Sequence, residues 1–339
     1  MTGRVTAAFF ALLRAGLELE SLGTEGWWPL GPDEWEDLYR QSRRHTVQGI
    51  VLDGLSGLPS GEGGMPMELF ARWAMDVENA VKANRLQKAV LKAQKEAWTR
   101  HGLEGVVLKG QTVAAMYPRP EHRTSGDIDW WFGGDEDWLE ANKVATANSC
   151  SLTEDSDGDV HYTLGGVTVE HHRRWNDASS RRARKALAGY KPDHPVAVLA
   201  MLNIHILKHA MVLGIGMRQV CDLAMAYRFF DGKYDGQELD ALIARCGLKK
   251  WTALLNGLLV RCFGSSSVPD GMSAASGNDV DRLLALILSD GNFGLETGRD
   301  AGSVASSVWG RTGLFLRYAP GEFLARLGEL VIGRLKRKK

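Results

Sequence analysis

The chain has 339 residues, with 41 Lys and Arg against 41 Asp and Glu, 24% charged and 44% hydrophobic residues. That length suggests about two domains, and the apolar content excludes a chain too polar to bury a core. A formal net charge of zero excludes a generally basic nucleic-acid coat, whose affinity comes from a cationic excess. Nucleic acid stays possible as an acceptor, but net charge does not point to it.

The balance is local as well as global. Residues 127–159 hold ten carboxylates against Lys143, and residues 171–191 hold seven cations against Asp177, a charge dipole along the chain. The four cysteines (Cys150, Cys221, Cys246, Cys262) form no CxxC pair, which argues against a zinc module and suits a reducing cytosol. A cytoplasmic protein without a transmembrane segment is expected. The apolar run Ala7 to Leu13 is closed by Arg14 and reads as an amphipathic helix, and no uninterrupted run approaches the roughly 18 apolar residues of a membrane span.

In chain order, residues 33–55 form a helix candidate, and the Gly, Pro and Ser stretch 56–65 reads as a linker. A long helix is expected from Pro66 to His101, ended by Gly102. The texture changes at Leu103. Residues 105–108 are a strand candidate, followed by Lys109-Gly110 and a short helix from Gln111 to Met116. Residues 127–132 are a second strand, closed by Gly133-Gly134, and Asp135 is placed to cap a helix to about Asn148. Val160 to Leu164 and Val167 to His171 read as a hairpin around Gly165-Gly166.

Helices then resume: 193–213, 217–230, 236–246, 249–263, 279–290 and 311–336, with 264–278 and 292–307 as loops. The fold class expected is α+β, with a helical lobe over 1–100, an α/β core over 101–176 and a helical domain over 177–339.

The informative residues are Lys109-Gly110 and Arg123-Thr-Ser125-Gly-Asp127-Ile-Asp129. Strand side chains alternate, so Asp127 and Asp129 project to one side, roughly 7 Å apart along the chain. Two such carboxylates suit one or two hard divalent cations such as Mg²⁺, which leave coordination sites for phosphate oxygens. Alternating acids also occur on solvent-facing strands, so the pattern alone leaves both readings open. Glu170, opposite Val167 and Val169 on the hairpin strand, is the candidate third carboxylate, as metal ligand or general base.

Together, Leu-Lys-Gly before a short helix, Arg-x-Ser-x-Asp-Ile-Asp on a strand, and Glu170, His171, His172 and Trp175 afterwards resemble the uncharacterised nucleotidyltransferase family of the DNA polymerase β-like superfamily. The first blocks are also similar to nucleotidyltransferase toxins of abortive-infection systems. The resemblance covers about residues 100 to 230, including Asn203 to His209 and Gly216 to Leu223.

It implies a small mixed sheet with Asp127 and Asp129 as metal ligands, and Gly110 letting backbone amides approach a nucleoside triphosphate. The superfamily commonly has Gly-Ser where this chain has Lys109-Gly110, and the gap to Asp127 is longer than usual. Lys109 can supply a cation to a phosphate. Arg123 and Ser125 can hold triphosphate oxygens or brace their loop. Lys208 and Arg218 are candidates for reaching the nucleotide from the helical part, with Asp222 orienting Arg218 at i, i+4. His205 and His209 share a face of an apolar helix and read as satisfied histidines rather than a metal pair. The basic tail Arg334 to Lys339 reads as a frayed end, or alternatively as a nucleic-acid or membrane-surface contact.

The expected function is transfer of an NMP from an NTP to an unidentified acceptor (small molecule, glycan or peptide), using Mg²⁺ or Mn²⁺ and releasing pyrophosphate. Competing readings are a toxin-like enzyme acting on tRNA or protein and a non-catalytic nucleotide-binding scaffold.

Overall fold

The computed structural model describes residues 3–58, 64–148, 151–155, 157–292 and 312–336, with the backbone alone for 333–336. Four helices come first: α1 Gly3–Gly16, α2 Pro32–Arg44, α3 Gln48–Gly54 and α4 Met67–Arg100. The single helix expected over 33–55 is two helices. The chain breaks at Thr46, whose φ of 54° is a conformation a β-branched residue does not propagate as a helix. The break lets α3 turn against α1. Contact there is backbone to backbone, since a Cβ on Gly54 would lie 2.2 Å from the Leu12 carbonyl oxygen.

Next comes the α/β part: β1 Val106–Val107, α5 Gln111–Ala114, β2 Ile128–Trp131, α6 Asp135–Ala147, β3 Thr153–Glu154, β4 Val160–Leu164 and β5 Val167–His172. The strands form one mixed sheet in the order β1-β2-β5-β4-β3. Only β2 and β5 run parallel, in the register Ile128↔Val169, Asp129↔Glu170 and Trp130↔His171. The antiparallel β4 and β5 make the expected hairpin, and the two-residue β3 adds an edge that the sequence pattern does not announce. The expected cap of α6 is displaced by one residue: Gly134 is the N-cap, and Asp135, Glu136 and Asp137 occupy the first turn, where the helix dipole favours acids.

Alternation divides the sheet by face. Ile128, Trp130, Phe132, Tyr162 and Val169 join Val90 and Trp98 of α4 and Ala141, Val144 and Ala145 of α6 in one buried cluster. The opposite face carries Asp129, Glu170 and His172, and it looks toward the second half of the chain. There the helices are α7 Arg181–Leu187, α8 Pro195–Val212, α9 Met217–Phe230, α10 Gly236–Cys246, α11 Lys249–Phe263 and α12 Asn278–Asp290. The helix expected over 311–336 divides into a helical segment 312–318 and α13 Pro320–Lys336, because Pro320 cannot continue the ladder and restricts Ala319 before it. The loop expected over 292–307 lies almost wholly outside the described residues.

Helices from both ends of the chain share one hydrophobic core, which runs from Val5 and Trp35 through Leu199 and Trp251 to Phe315 and Phe323. By length and composition α8 is apolar enough to cross a membrane, but 67% of it is buried inside the fold. It is the central helix of this core.

His45, at the break between α2 and α3, ties the two halves together. It is fully buried, and its Nδ1 accepts the backbone N–H of Met217 at the start of α9. Burial, and then the Arg44 charge, depress its pKa to about 3. A folded pKa below the unfolded value of about 6.5 means this contribution to stability is complete above about pH 6.5 and is lost as pH falls toward 3. His45 alone should remove about 3 kcal/mol between about pH 7 and about pH 4. Urea unfolding at the two pH values should therefore show a narrower gap for His45→Gln than for the wild type; equal gaps would contradict this assignment.

Candidate active site

The parallel pairing of β2 with β5 places Asp129 beside Glu170, and His172, two residues further along β5, shares their face. One ligand atom from each of Asp129, Glu170 and His172 lies within 4.8 Å of the others. They line a cavity of about 300 Å³ between the sheet and helices α8 and α9, and Asp127 lines it too. Asp129, Glu170 and His172 thus converge from two strands about forty positions apart in the chain, and Asp127, just before β2, lines the same cavity.

The charges of this cavity are heavily interlocked. His172 bridges two carboxylates, with Nε2 2.7 Å from Asp129 Oδ1 and Nδ1 2.8 Å from Asp159 Oδ2. Burial opposes its charged form, but hydrogen bonds to Asp129 and Asp159 outweigh that and push its pKa up to about 10. Both nitrogens thus face carboxylate oxygens, an arrangement that favours the imidazolium. Lys109 Nζ lies 3.3 Å from Asp129 and 3.7 Å from Asp177. Asp177 also accepts from His205 at 2.7 Å and Lys208 at 2.9 Å. Although burial raises a carboxyl pKa, Lys109 and then Lys208 hold Asp177 well below the ordinary range. Asp129 is likewise held low against burial, by Lys109 and His172.

Glu170 goes the other way. Burial, then the negative charges of Asp127 and Asp129, push it up to about 7. Eight carboxylates and four Lys or Arg side chains line the cavity, so the neighbouring cations do not balance the acids. This excess of oxygen donors is what a hard divalent cation would relieve.

The nucleotide-side candidates separate into two groups. Gly110 has φ 62° and ψ −107°, and a Cβ there would meet the Asp127 carbonyl oxygen at 2.9 Å, so glycine is required beside β2. Lys109, Lys208 and Arg218 project into the cavity. Arg218 donates to the Thr124 carbonyl at 2.7 Å, while its Nε is buried without a hydrogen-bond partner among the described residues. Burial, then the Arg123 charge, lowers its pKa.

Arg123 and Ser125 are committed to the loop. The Arg123 guanidinium grips Asp222 through two bonds of 2.6 and 2.7 Å, joined by the Tyr117 hydroxyl at 2.6 Å. It also donates to the Gly110 carbonyl and Ser125 Oγ, each at 3.3 Å, and Gln111 donates to the same Oγ at 3.2 Å. Of the two readings for these residues, the geometry is that of bracing. Asp222 accordingly orients Arg123 rather than Arg218, because the planar fork matches both carboxylate oxygens.

Three participants are not singled out by the sequence, and a fourth, His172, enters there only within the family resemblance, without a role of its own. Asp177 stood out there only as the lone acid in a basic stretch, and Asp159 only as one of ten acids. His172 was legible in principle, since it lies two residues from Glu170 on the same strand face. His161, whose Nδ1 is 3.0 Å from Glu170, had no local signal. His205 and His209 contact each other at a ring distance of 4.4 Å, and His205 Nδ1 is hydrogen-bonded to Asp177 at 2.7 Å. The cationic stretch also resolves: Arg173 lies over the Trp138 ring at 4.0 Å, and Arg182 donates to the Ala244 and Arg245 carbonyls at the end of α10.

Removing one partner of the buried Arg123–Asp222 pair leaves an uncompensated charge, which costs about 3–5 kcal/mol. Asp222→Ala should therefore lower thermal stability strongly, whereas Asp127→Asn on the cavity wall should leave it close to wild type. Equal melting temperatures for Asp222→Ala and wild type would contradict the structural role.

Comparison with known proteins adds one finding. No curated protein and no solved structure matches the chain. A family model described as an uncharacterised nucleotidyltransferase matches residues 31–264, about two thirds of the chain, and so extends beyond the motif region at 100–230 in both directions. The match includes α2, the whole sheet, every carboxylate of the cavity and helices α8 to α11, and the chain therefore belongs to the uncharacterised nucleotidyltransferase family.

Proposed function

We propose that this protein transfers a nucleoside monophosphate from an NTP to a hydroxyl or phosphate of an acceptor, with release of pyrophosphate. The observation that carries this reading is the convergence of Asp129, Glu170 and His172 in a carboxylate-rich cavity that also holds Lys109, Lys208 and Arg218. Asp127, Asp129 and Glu170 would hold Mg²⁺ or Mn²⁺. Their oxygen donors suit a hard cation, and both His172 nitrogens already face carboxylates, Asp129 and Asp159. A bound dication would neutralise charge on the phosphates and lower the pKa of the attacking oxygen.

The side chains divide the remaining work. His172 fixes the orientation of Asp129 through one nitrogen and anchors itself to Asp159 through the other, as outer-shell partners of ligands do. Lys109, Lys208 and Arg218 present cations to the triphosphate, and Gly110 keeps the start of α5 open to it. Arg123, held by Asp222 and Tyr117, fixes the loop that delivers Asp127. In the reaction the acceptor oxygen forms a bond to the α-phosphorus as the α–β anhydride bond breaks. Pyrophosphate carries away the electron pair, and the acceptor proton passes to Glu170 or solvent.

Asp129→Asn and Glu170→Gln should each abolish transfer of label from α-labelled NTP to acceptor in a cell extract while keeping the wild-type circular dichroism spectrum. Undiminished transfer by the double variant would overturn the assignment.

Arg218→Gln removes one charge-assisted phosphate contact and should raise the NTP KM about 10- to 100-fold with a smaller change in kcat. An unchanged KM would remove Arg218 from the nucleotide site.

A further inference from the structure

Helix α4 buries Val77, Val81, Val90 and Trp98 along its inner face, yet amides interrupt that row at Asn84, Gln87 and Gln94. Asn84 is 1% exposed and Gln87 5%, and amides buried this deeply cost free energy unless they are hydrogen-bonded. Asn84 Nδ2 donates to the carbonyls of Glu121 and Arg123 at 2.7 and 2.8 Å. Gln87 Nε2 donates to the Gly126 carbonyl at 2.6 Å. A third amide joins them from α5: Gln111 Nε2 donates toward Asn84 Oδ1 at 3.2 Å and Gln87 Oε1 at 2.9 Å, besides its contact with Ser125 Oγ. Three carboxamides therefore form one connected group, which grips the backbone of residues 121–126 at three carbonyls.

That backbone leads directly into Asp127. The ladder between β2 and β5 begins at Ile128, paired with Val169. The sheet thus sets Asp129 itself, whereas Asp127 lies one residue outside the pairing and takes its place from the loop. The Arg123–Asp222 fork holds the loop from the α9 side, and the Gln87 bond holds it at Gly126, the residue next to Asp127. A carboxamide offers a donor and an acceptor much as a peptide group does, so these side chains pair the loop carbonyls as a neighbouring strand would. They also add no charge beside a cavity whose acids already outnumber its Lys and Arg side chains.

We propose that Asn84, Gln87 and Gln111 are positioning residues for the metal centre: they fix the loop 121–126 so that the Asp127 carboxylate is kept in the cavity with Asp129 and Glu170. This role rests on Asp127 being a metal ligand.

Electron paramagnetic resonance of Mn²⁺ titrated into the full chain tests it. Gln87→Met keeps the length of the side chain and removes the amide, and it should weaken Mn²⁺ binding about 10- to 100-fold, as loss of an outer-shell partner does. Gln111→Met, at a half-buried position, should weaken it in the same direction and carries the test if Gln87→Met does not fold. Gln94→Met is the control. Gln94 is 3% exposed on the same helix but bonds Tyr162 and Trp130 instead of the loop, so its loss should lower the melting temperature and leave Mn²⁺ affinity near wild type. Asp127→Asn separates the positioning role from the metal reading. If Asp127→Asn weakens Mn²⁺ binding while the folded amide variants bind as the wild type does, the positioning role is overturned and the metal site stands. If Asp127→Asn leaves Mn²⁺ binding unchanged, Asp127 is not a ligand and the positioning role falls with it. Equal losses of affinity in Gln87→Met and Gln94→Met would also overturn it, since they would report a general loosening of α4.

Discussion

The parallel pairing of β2 with β5 is the constraint on which the rest of the site depends. Its register sets Asp129 directly beside Glu170, and alternation then decides everything around them. On one face Trp130, Val169 and His171 enter the core with α4 and α6. On the other, Asp129, Glu170 and His172 line the cavity. A shift of one residue would exchange the two sets, burying the carboxylates against Val90 and Trp98 of α4 and turning the apolar residues to the cleft. The hydrophobic face therefore enforces the geometry of the polar one. His171 shows how closely it does so: buried beneath the sheet, it is held between Tyr162 and Asn142, and burial depresses its pKa to about 3. One residue on, the pKa of His172 is pushed up by its hydrogen bonds to Asp129 and Asp159, against its burial.

A cluster of like charges on a sheet face costs energy unless something offsets it, and here the helical half of the chain supplies much of the compensation. Lys208 comes from α8, together with His205, whose charged form burial and Lys109 disfavour, and Lys109 comes from the turn before α5. Asp177 gathers all three, so Lys109 is shared between Asp177 and Asp129. The partial compensation leaves Glu170 with an elevated pKa. Buried, shared ion pairs of this kind are a poor source of stability. Arg218, by contrast, points its charge into the cavity with no hydrogen-bond partner for its Nε. Incomplete neutralisation at the acidic pole and an under-partnered guanidinium at the other suit a site that binds a metal and a polyphosphate together.

Much of this was legible in the sequence. The periodicity of α4 and α8 to α11, the glycine pair of the hairpin and the alternation Asp127-Ile-Asp129-Trp130 are local patterns, and local patterns determine helices, turns and strand faces. The breaks at Thr46 and Ala319 were less legible. The first depends on a backbone conformation that tertiary packing imposes, and the second on a proline inside an otherwise periodic run. Nonlocal pairings were not legible at all. Nothing near Arg123 announces that its partner is Asp222, 99 residues away, and nothing near Asp177 indicates that it will gather Lys109 from one segment and His205 and Lys208 from another. For the same reason the proline, glycine and acid patterns pointed to Asp127, Asp129 and Glu170 but not to Asp159 or His161.

The central claim is that the carboxylates brought together by β2 and β5 hold a divalent cation. Electron paramagnetic resonance of Mn²⁺ titrated into the purified protein reads this directly, without need of the acceptor. The account predicts a bound Mn²⁺ signal in the wild type that is lost in both Asp129→Asn and Glu170→Gln, with the fold intact. Mn²⁺ binding that persists unchanged in both variants would contradict it.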